Sequence, residues 1–454
     1  MKFGFSKYVK INDYEYPLPN GYSDLHINEK IKEYDYNTLS QFNPYKFLFK
    51  KAMKYREYGF GAYSVNELIE RDEIFIYPIF IKGLFDIKNL SNNQYFEIDD
   101  IIINQIKRNK CKIVLFYLLE GDFTNKEHFD GINQFVKKYG LSNNDVALVN
   151  NNLILNENAQ KNNFEQNFSI IPYNYFLTNP WFIKEDFLDL DNDLNFKLDL
   201  GRKINYVCEY QKEKKFLVLN RRPRPHRIVI FAEIMKDENL KNNSVISMGG
   251  INIDNSESDI DLWGASNLKN TLGIWENQYM RLVDSDYKYD KISGLEFLKS
   301  YDNTKNYFID ANPSFNLAFN LNETLQTNTF VNIITETLFN NDTVFLSEKI
   351  FKPIYSCQPF IVLGNPFTLR ELRNLGFKTF NDFWDESYDE ELNFSKRLEK
   401  IIDILHLINE KSNEELLQLT KSMSDILRHN YENLISKSRE EVFKLKKLLN
   451  EQFS

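Results

Sequence analysis

FLVLNRRPRPHRIVIFAEIM, residues 216–235, joins three kinds of sequence without a spacer. FLVLN is an apolar run of strand length, and RIVIFAEIM is an apolar run of helical length. Between them, four arginines and a histidine fall within residues 221–227. A strand that feeds a helix through a short loop is the repeating unit of a parallel α/β sheet. Ligands of such sheets gather outside the carboxyl ends of the strands, where this loop lies. Pro223 and Pro225 stiffen the loop by fixing φ. The N-terminus of the next helix adds partial positive charge and free N–H groups, which favour an anion. Arg221, Arg222, Arg224 and Arg227 would repel one another there unless a polyanion visits. A diphosphate suits the paired N–H groups of arginine, with Arg221, Arg222 and Arg227 the leading candidates. His226 either donates to a phosphate or caps the helix. The competing reading pairs the arginines with some of the chain's 65 acidic residues.

The same alternation continues on both sides. KFLVLN is expected as a strand, HRIVIFAEIMKDENL as a helix and NSVISMGG as a strand; FVNIITET (330–337) and QPFIVLG (358–364) follow as strands. In NPFTLRELRNLGF, Asn365 is expected to cap a helix, Pro366 to occupy its first position and Gly376 to end it. FKTF (377–380) reads as a returning strand. In the first half, EIFIYPIFI (73–81), CKIVLFYLLEG (111–121), DVALVNNNLIL (145–155) and FSIIPYN (168–174) read as strands. The amphipathic NKEHFDGINQFVKKYGLS reads as a helix stopped by Gly140.

The polar stretch 191–215 is taken as a boundary. The expected organisation is an N-terminal α/β domain over 1–205, a second over 206–390 and a helical segment over 391–454, with the two α/β domains doubly wound. In the last segment Leu398, Ile402, Leu405 and Ile408 recur at helical spacing, and Ser412–Glu415 has a capping-box pattern. Leu416, Leu419, Met423, Ile426 and Leu427 continue a stripe too wide for strict heptads, so packing onto a domain is preferred to a coiled coil.

Length and composition bound the rest. The chain has 454 residues, a net charge of -9 and 27% charged residues, an ordinary globular balance over two or three domains. The acidic balance argues against broad nucleic-acid binding, although a local basic groove stays open. Cys111, Cys208 and Cys357 are far apart and read as reduced thiols of a cytosolic protein. The start of the chain has no apolar segment of signal-peptide type, and no apolar run approaches the ~18 residues of a membrane span. A cytoplasmic location is expected. No P-loop, H-E-x-x-H or G-x-S-x-G element occurs. The acids of DNSESDIDLWG (254–264) lack an EF-hand pattern and read as a polar loop, and FNDFWDESYDEE (380–391) reads as a loop leading into the terminal helices.

A second cluster lies in FVNIITETLFNNDTVFLSEKIFKPIYSCQPFIVLGNP (330–366). Glu336 ends a strand, Ser347 is a potential N-cap, and Glu348 and Lys349 follow it. A carboxylate at a helix start can accept from two ribose hydroxyls, and lysines such as Lys349 and Lys352 can neutralise phosphate. Pro353 either kinks this helix or marks the first turn of a later one.

These residues resemble the nucleotide-binding signature of two-domain GT-B glycosyltransferases, most closely the fucosyltransferase type. There a strand ends in Glu-Asn-Ser, and Thr-Glu-Lys, a helix and a P-V-V-x-G strand follow. Glu336–Thr337 stands for Glu-Asn, Ser347–Glu348–Lys349 for Thr-Glu-Lys, and QPFIVLGNP for the last strand. Thr337 replaces the asparagine, and the loop between the glutamates is longer. The resemblance spans about 40 residues, with NRRPRPHR as context.

The resemblance implies two Rossmann-like domains, with terminal helices returning to the first. The C-terminal domain would hold a nucleoside-diphosphate sugar, GDP- or UDP-linked. The acceptor, a glycan or polysaccharide precursor, would bind the N-terminal domain, with no metal or further cofactor. Lys349 would contact phosphate, Glu348 ribose and Glu336 the transferred sugar. An inverting transfer needs a general base at a strand end of the first domain, and Glu120 and Asp122 in FYLLEGD are the candidates. Asp86, Glu70 and His128 are further possibilities, His128 reading as a surface residue. Three rival functions stay open: a viral-type enzyme glycosylating a hydroxylated DNA base, a non-catalytic nucleotide-sugar-binding protein, and a sugar-nucleotide epimerase. The first would need a second basic surface, for which KFLFKKAMKYR (46–56) is the candidate.

Overall fold

The computed structural model describes residues 1–11, 14–18, 61–81, 83–92, 96–118, 121–178, 193–250, 274–312, 321–339 and 343–453. Glu120, the 46–56 segment and the 254–264 segment lie outside them. The chain divides into two compact units, one of Met1–Asn179, Asp342–Phe345 and Ser438–Ser454, the other of Pro180–Asn341 and Leu346–Lys437.

The first unit contains β1 (Lys2–Phe5), β2 (Lys7–Ile11), β3 (Tyr14–Leu18), β4 (Gly61–Ser64), β5 (Phe75–Phe80), β6 (Cys111–Tyr117), β7 (Val146–Asn150) and β8 (Ser169–Pro172). Six of these form one sheet in the order β4-β1-β5-β6-β7-β8, every pairing parallel. β5 and β7 are buried at every position, as expected of central strands covered on both faces. That burial explains why they read as continuous apolar runs. The short β1 and β4 escape such reading, and β2 and β3 form a separate antiparallel pair.

The expected helix is Lys126–Lys138, and Gly140 follows it with a positive φ of 63°. His128 is buried rather than on the surface. Its Nδ1 accepts from the Thr124 and Asn125 backbone N–H groups, so it closes a capping box with Asn125. Burial, aided by Lys88, lowers its pKa to about 4, so it is a neutral cap at physiological pH.

The second unit contains β9 (Lys214–Asn220), β10 (Ser244–Met248), β11 (Tyr307–Ile309), β12 (Thr329–Thr335) and β13 (Phe360–Leu363) in the order β11-β10-β9-β12-β13. All neighbours pair parallel except β10 and β11, so this sheet is mixed. β9 is followed by the helix Pro225–Met235, which is buried at all eleven positions. Phe231 packs its ring against Trp275, Phe297, Tyr301 and Tyr307. That enclosure explains an apolar helix with little amphipathic pattern.

Three local expectations change. The stretch 191–215 is mainly a helix, Asp193–Glu209, that runs across the 205/206 position. Its Leu200, Ile204, Val207 and Cys208 are buried at i, i+4, i+7 and i+8, a stripe hidden among charges. FKTF forms no strand. Phe377 and Phe380 are buried, but the N–H groups of Lys378 and Phe380 donate to Asn430 Oδ1 and Glu386 Oε1 instead of a ladder. The helix after β13 is Thr368–Asn374, starting later than Pro366. Its Leu369 and Arg370 N–H groups are received by Asp389, at 2.8 and 2.9 Å, not by Asn365.

The terminal helices are Phe394–Asn409, Asn413–Ser422 and Ser424–Phe453. Ser412 and Glu415 form the expected capping box. The first two helices belong to the second unit, and residues 438–453 of the last belong to the first. All three cysteines are free and buried. Among the described residues, no helix is long and apolar enough to cross a membrane.

Candidate functional site

In the second sheet the chain runs from β9 outward to β10, then returns to place β12 on the other side of β9. The carboxyl ends of β9 and β12 therefore flank the point where strand order reverses, the usual crevice for ligands in open α/β sheets. The helices Pro225–Met235 and Glu348–Tyr355 follow these two strands and begin at the same edge. Asn220 and Thr335 close the crevice floor. The Thr335 hydroxyl donates to Asn220 Oδ1 at 2.6 Å, and the Asn220 Nδ2 has no hydrogen-bond partner among the described residues.

The loop from 221 to 224 leaves this floor. Arg224 is the N-cap residue, extended at φ -89° and ψ 152°, and Pro225 takes the first helical position, where a missing N–H costs nothing. Arg224 Nη1 donates to the Thr337 carbonyl at 2.6 Å. Arg227 is buried, and its guanidinium donates to the carbonyls of Arg222, Thr335 and Glu336 at 3.2 to 3.3 Å. His226 Nε2 lies 2.7 Å from the Glu336 carbonyl oxygen. A carbonyl only accepts, so Nε2 carries the proton. Burial, reinforced by Arg227, Arg224 and Arg397, pushes the His226 pKa well down, leaving Nδ1 as a bare acceptor. His226 thus spends its one ring donor on the backbone. Arg224 and Arg227 likewise bind the end of β12, while Arg221 and Arg222 sit half-buried in the loop.

Glu336 is fully enclosed, and its carboxylate accepts from the Thr337 N–H, the Ser347 N–H and the Ser347 hydroxyl, the last at 2.6 Å. Burial raises its pKa against the pull of Lys349 and Ser347. Ser347 also caps the helix Glu348–Tyr355 by accepting from the Lys349 N–H. One hydroxyl therefore joins the β12 end to the helix start. Pro353 lies inside this helix, six residues along, and the helix ends at Tyr355. Gly364 at the end of β13 lies under Glu336, so an added Cβ would sit 3.1 Å from the Glu336 Cβ.

Lys349 Nζ donates to Glu348 Oε1 at 2.9 Å and to the hydroxyls of Thr337 and Ser347, both at 3.3 Å. Burial would raise the Glu348 carboxyl, but Lys349 and Lys352 outweigh it and hold it below its usual range. Lys352 is itself buried, which brings its ammonium down to about 8 although Glu348 opposes the shift. The two stretches singled out in the sequence thus meet on one residue. Thr337 offers its carbonyl to Arg224 and its hydroxyl to Lys349.

Sequence reading overlooked Arg397, on the helix Phe394–Asn409. Its charge helps keep His226 neutral, and its Nη1 donates to the Glu391 carbonyl at 2.8 Å. Nothing in SKRLEK distinguishes it from a surface arginine.

In the first unit, Asp122 follows β6 and accepts from the buried Tyr117 hydroxyl at 2.5 Å. The asparagine run after β7 shapes this edge. Asn150 Nδ2 donates to the Tyr117 carbonyl and Asn152 Nδ2 to the Phe123 carbonyl. Glu70 is exposed and Asp86 half-buried, each on its own short helix. Among the described residues no cluster of histidine, cysteine, aspartate or glutamate is arranged to hold a metal ion.

No family model matches this chain, and neither the curated proteins nor the solved structures include a significant match.

Proposed function

We propose that the protein is a glycosyltransferase of GT-B type that moves a sugar from a nucleoside-diphosphate donor to an acceptor hydroxyl. In this reading the two units are its two Rossmann-like domains, and the crevice between β9 and β12 is the donor site. The observation that carries the reading is the meeting of Arg224 and Lys349 on Thr337. Cations from two distant segments crowd one strand-end crevice, and a diphosphate would offset their mutual repulsion. Two helix N-termini at the same edge add to the attraction for an anion.

Within the site the roles divide. Arg224, His226 and Arg227 position the end of β12. Arg221, Arg222, Lys349 and Lys352 supply charge to the departing diphosphate, and stabilising that charge is the main catalytic demand when no metal assists. Glu348 is the ribose acceptor. Glu336 holds the loop through Ser347 and faces the transferred sugar only through that framework. Asp122 is the candidate general base, its carboxylate oriented by Tyr117. The acceptor is a glycan or polysaccharide precursor.

The test is a thermal-shift screen over uridine-, guanosine-, adenosine- and cytidine-linked sugars, run without added metal and repeated with Lys349→Ala. One nucleotide class is expected to stabilise the wild type, and Lys349→Ala to abolish that gain. Ligand at a hundredfold over Kd adds about 2.7 kcal/mol, well within detection. Transfer to acceptor is then expected to fall at least about 100-fold in Asp122→Asn with donor affinity kept. Stabilisation by none of the four classes would refute the donor site. Conversion of the donor without any acceptor would instead identify an epimerase.

A further inference from the structure

Arg397 is 1% exposed, yet most of its hydrogen-bonding capacity is unused. Nη1 is anchored on the Glu391 carbonyl, while Nε and Nη2 have no hydrogen-bond partner among the described residues. These two nitrogens form the side-on edge of the guanidinium, the pair of parallel N–H groups that grips two oxygens of one carboxylate or phosphate. Buried donors of a charged group are rarely left without acceptors, because the loss of hydration is not recovered. Asp389, the acid that acts most strongly on its charge, does not supply the acceptor. Asp389 receives the N–H groups of Leu369 and Arg370 and lies 3.8 Å from Arg373.

Arg397 is linked to the crevice already described through two aromatic rings, and its charge is felt at His226. Its guanidinium carbon lies 5.7 Å from the Phe394 ring centre, Phe394 is 6.0 Å from the Phe339 ring, and Phe339 is 4.7 Å from His226. His226 follows the arginine loop directly. Burial lowers the Arg397 pKa to about 10 against the influence of Asp389 and Glu391, so it stays charged at neutral pH.

We propose that Arg397 is a further binding residue of the donor site, holding one phosphoryl group of the nucleoside diphosphate side-on through Nε and Nη2. The inference rests on the reading of the crevice as a diphosphate site. It adds a cation from the C-terminal helices to those of the loop after β9 and the helix after β12. An oxyanion at this depth is stripped of water, where a bidentate contact is strongest.

Titrations of the full chain with inorganic pyrophosphate and with the matching nucleoside diphosphate test it, using wild type, Arg397→Lys, Arg397→Met and Lys349→Ala. Arg397→Lys keeps the charge and loses the fork. Both Arg397 variants are expected to weaken pyrophosphate and nucleotide about 10- to 100-fold, the range for a hydrogen bond to a charged group. If Lys349→Ala abolishes nucleotide binding while both Arg397 variants stay within about twofold of wild type, the inference fails and the donor-site reading stands. If the Arg397 variants lose binding and Lys349→Ala does not, Arg397 stands and the placement of the diphosphate at Lys349 falls. Binding of neither probe by wild type removes both. Should the variants not fold, a crystal structure of the wild type with nucleoside diphosphate gives the answer. A phosphate oxygen about 3 Å from Nε and Nη2 supports the assignment, and a phosphate elsewhere overturns it.

Discussion

His226 Nε2 lies 2.7 Å from the Glu336 carbonyl oxygen, so the first turn of one helix is tied to the end of a strand 110 residues away. The ring acts here as a neutral donor. His226→Gln, whose amide nitrogen can reach a similar point, is expected to keep most of the stability. His226→Phe removes the shorter of two donors to the Glu336 carbonyl, Arg227 keeping the other, and is expected to cost about 0.5–1.5 kcal/mol. Urea unfolding of the two variants checks this, and equal losses would show that packing, not the hydrogen bond, matters. Because the ring stays neutral well below its ordinary pKa, ligand affinity should show no His226 titration between pH 6 and 8.

Ser347 has two tasks, capping a helix and donating to a buried carboxylate. Ser347→Ala should therefore cost more than an ordinary cap, about 2–4 kcal/mol when both terms are counted. A double-mutant cycle with Glu336→Gln is expected to return coupling of at least about 1 kcal/mol. Additive losses would mean that the two residues act separately.

Lys352 predicts an alkaline limit on anion binding. Its folded pKa is about 8, below the ordinary 10.5, so it is charged below pH 8 and neutral above. Pyrophosphate affinity is expected to hold from pH 7 to 7.5 and then fall by up to about tenfold per unit. In Lys352→Met that slope should vanish. Stability of the ligand-free protein moves the other way. The unfolded chain keeps this proton up to about 10.5, so between pH 8 and 10.5 this group favours the folded state increasingly as pH rises. Buried Lys212, also at about 8, acts in the same direction. Calorimetry across pH 7–9.5 reads both trends, and a flat affinity profile would rule out a role for the Lys352 charge.

Gly131 inverts a general rule. Glycine to alanine on a helix usually adds about 1 kcal/mol. On Lys126–Lys138, however, a Cβ at 131 would overlap the Ile87 carbonyl oxygen and lie 3.1 Å from the Lys88 Cα. These are backbone atoms, which yield little, so Gly131→Ala is expected to destabilise by about 2 kcal/mol or more. A rise in melting temperature would show that the helices separate easily.

Much of this was legible along the chain. β9, its loop and the following helix are adjacent in sequence, so apolar run, proline positions and apolar run suffice to place them. The Ser347 and Ser412 caps lie within three residues of the N–H groups they receive. The central strands of the first sheet announce themselves because burial on both faces demands unbroken apolar side chains.

What local pattern left open were bonds made across long separations. FKTF has the composition of a strand, but Asn430 and Glu386 take N–H groups that a ladder would need. Asp389 takes the capping task that Asn365 promised. A serine with a glutamate three residues on is a cap wherever the chain goes, because the atoms that bond are neighbours along the backbone. Whether an arginine is a solvated charge or an anion grip depends on what surrounds it. Arg397 became a candidate only when folding buried its side chain and brought it toward His226, 171 positions earlier in the chain.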